Sequence, residues 1–327
     1  MKRRGFLGAI GGTAAAWPLG ASAQQSGGSI RRIGILTSGG GARGPIADDF
    51  SQTLAARGYR PGSDLVFESR TSGGDPTKLP GLVRELTALP VDVLVTFSYP
   101  AALAAKGNAG SVPIVAVGTG DPVASGLVAG LARPGGNITG ISDVAAQLAP
   151  KRLELLKAAA PDMKKVAMLW NADDFGMTLR YRASAAAAEK LGVTVQSLGV
   201  REPNDFAQAF AAMDRDPPDG ILMVADALTF LNRGTVFDYV TAHRLPAIYE
   251  ADTFVRDGGL MSYGPDRRET LQRAAALVDR ILKGAQPADL PFEEPTRFVL
   301  VINMKTAIGL HLRIPDAVVA RADEVIE

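Results

Sequence analysis

The sequence predicts an α/β protein of two doubly wound, Rossmann-like lobes. Each lobe is read as a parallel sheet covered by helices, and several chain crossings join the two into a hinged clamshell. Three observations predict it. Short runs of β-branched and other apolar residues alternate with Ala- and Leu-rich runs of helical spacing, the pattern of parallel sheets with helices on both faces. The alternation pauses at a Gly- and Pro-dense stretch, 133–140, which suits a turn into a crossover, and then starts again. One more strand-like run, 298–302, follows the last long helical run.

The elements follow in order. Residues 1–23 read as an export signal. Lys2, Arg3 and Arg4 precede an apolar run over 6–19, and Ala21-Ser22-Ala23 offers small residues for cleavage before Gln24. The run is too short and too rich in Gly and Ala to span a bilayer. Arg3-Arg4-Gly5-Phe6-Leu7 also has the form of a twin-arginine address. A polar linker, 24–29, leads into strands at 33–36, 65–68, 91–96 and 113–117, with helices at 46–57, 79–89 and 101–108 between them. The second block places strands at 166–170, 193–200, 220–224 and 246–249, with helices at 181–191, 204–213 and 229–243. A helix at 268–282 ends on Lys283-Gly284, a cation followed by a C-terminal glycine cap. The strand at 298–302 and a short helical tail finish the chain. The expected lobes are 30–141 plus about 265–285, and 142–264 plus about 295–327.

Composition narrows the class. The 327-residue chain holds 35 Lys and Arg against 34 Asp and Glu. Three cations and no anion fall in the first 23 residues, so the remainder carries 32 against 34, a net charge of −2. That balance argues against general attraction to nucleic acid or anionic lipid. The chain has no Cys, which excludes disulfides, thiolate metal sites, cysteine nucleophiles and a cysteine-borne lipid anchor. The expectation is a soluble periplasmic monomer, cleaved after Ala23, with cores large enough to need no staples.

In such a fold, ligands sit in the cleft at the carboxyl ends of the strands. After the first strand, Ser38 and Gly39 offer a hydroxyl and a closely approachable backbone for a carboxylate; a plain strand–helix turn explains them equally simply. Ser98 and Tyr99 follow the third strand, with Pro100 read at N1 of the next helix and Ser98 as its cap. Thr119 is the preferred contact in the first lobe, while Asp121 either joins it or fixes the turn before Pro122. In the second lobe Asn171, Asp226, Tyr249 and Tyr263 stand at strand ends. Asp226 is read as the partner of an α-ammonium, with Glu250 set aside as part of a solvated acidic stretch beside Asp252. Tyr99, Tyr249 and Tyr263 suit stacking on a planar solute, or core packing.

Several blocks carry a family resemblance: PAALAAK at 100–106, GDPVASGLVAGLARPGGNITG at 120–140, KRLELLK at 151–157 and LPAIY at 245–249. GGLMSYGP at 258–265, ILKGAQPADLP at 281–291, VINMKT at 301–306 and RADEVIE at 321–327 continue it. Together they resemble the ABC transporter solute-binding family that includes tryptophan- and tyrosine-binding lipoproteins. The resemblance implies a type I periplasmic-binding-protein fold and delivery of a small solute, an aromatic or other amino acid, to an inner-membrane permease and its ATPase. The chain departs from lipoprotein members in lacking a lipobox cysteine, so no lipid tether is implied.

Other readings are weaker. Gly39-x-Gly41-x-x-Gly44, with Glu68 ending the next strand, matches the letter of a dinucleotide fingerprint and would suit a periplasmic NAD(P)-dependent oxidoreductase. Pro45 directly after the third glycine, and Asp48-Asp49 in the first helical turn, oppose a pyrophosphate there. His243 and His311 lack a carboxylate at triad or ligand spacing, and neither a Gly-x-Ser-x-Gly elbow nor a His-Glu-x-x-His pair occurs. Asp173-Asp174 and Asp214-x-Asp216 do not continue as calcium loops and read as solvated turns. No enzyme activity, cofactor or metal is expected; a ligand-sensing receptor for a membrane partner is the remaining alternative.

Overall fold

The computed structural model describes residues 30–39 and 45–327. The export signal, the linker and residues 40–44 lie outside that range. The first lobe is built on β1 (Arg31–Thr37), α1 (Pro45–Ala55), β2 (Leu65–Thr71), α2 (Leu79–Thr87), β3 (Val93–Phe97), α3 (Tyr99–Asn108), β4 (Ile114–Val117) and β5 (Ile138–Ile141). Its strands lie in the order β2-β1-β3-β4-β5, all parallel. Alternate residues of a strand face opposite sides, so this sheet has two cores. Ile33, Ile35, Val93 and Val95 pack with Phe50 and Leu54 of α1. Leu36, Leu94, Ile114 and Ala116 pack with Val83 and Leu86 of α2 and Ala101 and Ala105 of α3.

The chain then runs through α4 (Ala149–Ala159), β6 (Lys165–Asn171), α5 (Phe175–Lys190), β7 (Thr194–Val200), α6 (Asp205–Arg215) and β8 (Gly220–Met223). Next come α7 (Ala227–Leu231), α8 (Arg233–His243), β9 (Ala247–Tyr249), α9 (Asp252–Arg256), β10 (Met261–Pro265) and α10 (Arg267–Leu282). The chain closes with β11 (Phe298–Asn303), α11 (Met304–Gly309), α12 (Asp316–Val319) and β12 (Glu324–Ile326). The second sheet has the order β12-β11-β10-β9-β8-β6-β7. It is parallel except where β11 runs antiparallel to β10.

Three passages link the lobes, after β5, between β10 and α10, and before β11. Helix α10 follows a strand of the second sheet yet packs on the first: Leu271, Leu277 and Val278 lie in the core of β1 and β3. Phe292 also packs in the first lobe, and the Glu293 N–H donates to Gly140 O at 2.8 Å.

Several local expectations change. The β10–β11 pair departs from all-parallel sheets, because the chain re-enters the second lobe from the hinge side and pairs directly with the strand it left by. Residues 138–141 form a strand rather than part of a turn; four residues beside a Gly/Pro run carry no readable period. The tail contains the strand β12 as well as helices. The helix expected at 229–243 is two helices broken at Asn232, whose side-chain and backbone N–H groups both donate to Leu228 O. Helix α5 starts six residues before its expected beginning, because Asp174 caps it. Gly284 does follow the last turn of α10, with φ +102°.

Candidate functional site

The carboxyl ends of β1, β3 and β4 face those of β6 and β8 across a cavity of about 240 Å³. The first lobe lines it with Ser38, Ser72, Ser98, Tyr99, Leu103 and Gly118. The second contributes Asn171, Asp174, Phe175, Met177, Arg180 and Asp226, and Asp143 comes from the first passage between lobes. The lobes are in contact around it. A methyl on Gly39 would lie 3.2 Å from Ala227 Cβ across the cleft, so the backbone after β1 meets the start of α7 closely. A larger groove of about 850 Å³ lies where α1 and α10 face β11 and β12. It holds ion pairs of Arg267 with Asp49, Arg297 with Asp266 at 3.2 Å and Arg256 with Glu324 at 2.7 Å, and it shares no lining residue with the cleft.

On the first lobe, Ser98 combines two roles. Its Oγ accepts the Ala101 N–H as cap of α3 and lies 2.6 Å from Ser38 Oγ. Its backbone has φ +114° and ψ 159°, a region favouring glycine and strained for serine; such strain gathers at ligand-holding positions. Ser72 Oγ donates to Ser38 O at 2.9 Å, which fixes the loop. Of the Ser38 and Ser98 hydroxyls, one donates to the other, leaving the second proton for an acceptor. Pro100 sits second in α3 rather than first, with Tyr99 at the first position.

On the second lobe an ionic network is buried behind the cavity. Arg152 is 1% exposed and Arg180 4%. The two hold Glu250 between them, Arg152 donating to Oε1 at 2.9 Å and Arg180 to Oε2 at 2.5 Å. Arg180 also donates to Asp143 Oδ2 at 2.7 Å, and Arg152 to the carbonyls of Tyr263 and Ala145. The network thus ties the first passage between lobes, at Asp143 and Ala145, to strand β10 at Tyr263. Burial pulls the Arg152 pKa down despite Glu250. Burial acts the same way on Arg180, but Asp143 and Glu250 outweigh it and its pKa rises. Glu250 is therefore a buried partner of two arginines, not part of a solvated stretch.

The predicted contacts divide. Ser38, Ser98, Tyr99, Asn171 and Asp226 line the cavity, and Gly39 adjoins it. Asp226 caps α7 through a capping box with Thr229 and accepts from Asn171 Nδ2 at 2.6 Å. Thr119 is 1% exposed and does not line the cavity; the neighbouring Gly118 does. Asp121 fixes its turn by accepting the Val123 and Ala124 N–H groups. Tyr249 is fully buried in the second-lobe core, stacked on Phe254 and edge-on to Phe237. Tyr263 packs against Phe298 and offers its carbonyl to Arg152. Glu68 is engaged by Arg32 in an ion pair, and the fingerprint glycines Gly41 and Gly44 lie outside the described residues.

Asp174, Arg180, Ser72, Phe175 and Met177 were not anticipated. Only Asp174 carried a usable signal, as an Asp directly before a helical run. Asp173 is the exposed member of that pair, bound to Arg201 at 3.2 Å, while Asp174 is 7% exposed. Burial raises the Asp174 pKa, with Arg180 opposing and Asp226 adding to the rise. The Tyr99 phenol is raised by burial and by Asp174. Among the described residues, no cluster of His, Cys, Asp and Glu is arranged to hold a metal.

Two wound α/β lobes, three linking passages and a cleft at the strand ends make this a type I periplasmic-binding-protein fold. Sequence comparison carries the assignment further. The chain belongs to the family described as ABC transporter substrate binding protein, whose profile matches residues 38–326; the family is one of binding proteins, not enzymes. A tyrosine-binding protein of Clostridioides difficile (strain R20291) is 24% identical over 264 residues, covering 81% of this chain and 76% of the relative. A conserved domain protein from Vibrio cholerae has 26% identity and a TM-score of 0.83, covering 91% of this chain and 100% of its own. An ABC domain from Streptococcus pneumonia in complex with L-Trp has 29% identity and a TM-score of 0.82, with the same coverage.

Proposed function

We propose that the protein is the periplasmic solute-binding component of an ABC import system. It takes a small solute, an aromatic or other amino acid, into the cleft between its lobes and presents it to an inner-membrane permease and its ATPase. The observation that carries this reading is the cavity between the lobes: hydroxyls on the first lobe, carboxylates on the second and apolar walls from Leu103, Phe175 and Met177. The spare proton of the Ser38–Ser98 pair suits a solute carboxylate, and the acidic side suits its ammonium. Contacts from both lobes bind the closed form better than the open one, so occupancy shifts the population toward closure. The sequence of residues 1–23 supports export by the twin-arginine route with cleavage after Ala23, and the protein acts as a monomer without a cofactor.

The test is a thermal-shift screen of amino acids, aromatic acids, nucleosides, sugars and NAD(P). A solute that binds only the native state adds about 2.7 kcal/mol of stability at a hundredfold excess over Kd. A shift with an amino acid supports the reading. A shift with NAD(P) alone overturns it.

A further inference from the structure

We propose that the cleft contains an ammonium subsite formed by Asp174 of the second lobe and the Tyr99 ring of the first, so that the solute's cationic group ties the lobes together. The inference rests on the cleft being the solute site and names the group that Asp174 selects.

Hydrogen-bond accounting singles out Asp174 among the acids of the cavity. Its Oδ1 caps α5, accepting Gly176 N–H at 2.7 Å and Met177 N–H at 3.3 Å. Its Oδ2 has no donor among the described residues, and the residue, 7% exposed, lines the cavity. Asp226 has Thr229 on one oxygen and Asn171 on the other. Asp143 is held by Arg180 and by the Ala145 N–H, and Asp173 is exposed and paired with Arg201. Arg180, the cation nearest to hand, directs its NH1 and NH2 to Glu250, Ala225 O and Asp143, not to Asp174. Arg180 attracts the Asp174 carboxylate from nearby but gives it no hydrogen bond; a largely buried carboxylate left short of donors is costly, and a cation brought by the solute offsets that cost.

Tyr99 completes the subsite from the opposite lobe. A methyl on Gly176 would lie 3.1 Å from Asp174 Oδ1 and 3.8 Å from the Tyr99 ring, so ring and carboxylate flank one point. The Tyr99 hydroxyl spends its proton on Ser125 O at 3.1 Å, so toward a cation the residue offers its π face and the oxygen's lone pairs. Cations are drawn to aromatic rings, and more so when desolvated.

The experiment is calorimetric titration of the full chain with matched pairs: L-tryptophan and indole-3-propionate, L-tyrosine and 3-(4-hydroxyphenyl)propionate, with tryptamine and tyramine added. The expected result is an amine-bearing compound binding at least about thirtyfold tighter than its deaminated partner, the scale of a desolvated charge pair. Asp174→Asn retains a capping oxygen, so it melts no lower than the wild type yet loses that preference; Tyr99→Leu reduces the preference without altering the carboxylate. Three results overturn the subsite: equal binding of the deaminated acid, a preference that survives Asp174→Asn, or one lost instead in Asp226→Asn. Failure of every amine to bind also overturns it. The wider screen then judges the receptor reading separately, since a sugar or nucleoside binding in the cleft would uphold it without any role for Asp174.

Discussion

Replacing Glu250 by alanine takes the only carboxylate from Arg152 and one of two from Arg180. Arg180 keeps Asp143 at 2.7 Å, while Arg152 keeps only the carbonyls of Tyr263 and Ala145. One guanidinium thus remains charged, 1% exposed and uncompensated, and the Ala225 N–H loses its acceptor at 3.0 Å. Breaking a buried pair from one side costs about 3–5 kcal/mol, which is roughly a 6–20 °C fall in melting temperature for a lobe of this size. The assay is guanidinium unfolding followed by fluorescence in a Trp17→Phe background. The remaining tryptophan, Trp170, stacks on Tyr181 at 4.8 Å in the second lobe and so reports the lobe that holds the network. Glu250→Gln keeps an acceptor while removing the charge, and is expected between wild type and alanine. The midpoint should move with little change in slope. A cost under about 1 kcal/mol for Glu250→Ala, the range of an exposed pair, would refute the burial argument.

Three further outcomes are expected. Tyr249 OH is buried with no partner among the described residues, so Tyr249→Phe should match or exceed wild-type stability by about 1 kcal/mol in calorimetry and leave solute affinity unchanged; weakened binding would return Tyr249 to the site. Ser98→Gly should melt above Ser98→Ala, because both lose the hydroxyl but only glycine relieves strain of about 1–3 kcal/mol at φ +114°; the reverse order in thermal melts would refute the strain. For Asp174, the folded pKa lies above the unfolded one, so between those values the native state binds more protons and stability is lost as pH rises. Asp174→Asn removes that loss, and urea titrations should find it at least as stable as wild type at about pH 7, with its relative advantage shrinking toward about pH 4. An advantage that grows on acidification would contradict the raised pKa.

Much of the cleft was legible from local signals. Ser38, Ser98, Tyr99, Asn171 and Asp226 line it because strand periodicity locates strand ends, and in wound sheets those ends face the ligand. Which residues at those ends turn inward was not legible. Thr119 and Tyr249 stand at strand exits like the others, yet both are buried and neither lines the cavity. Neighbours in sequence misled for Glu250, whose acidic neighbour Asp252 suggested solvent.

By itself the sequence determined the wound α/β class, the alternation of elements and the loops that meet in the cleft, since these follow from residue spacing within a few turns of chain. Tertiary structure alone decided the antiparallel return of β11, the seat of α10 on the opposite lobe and the Arg152–Glu250–Arg180 network. Glu250 is separated from its two arginines by 98 and 70 residues. A charge's environment is set by distance and dielectric in space, and those belong to the folded chain rather than to its order of residues.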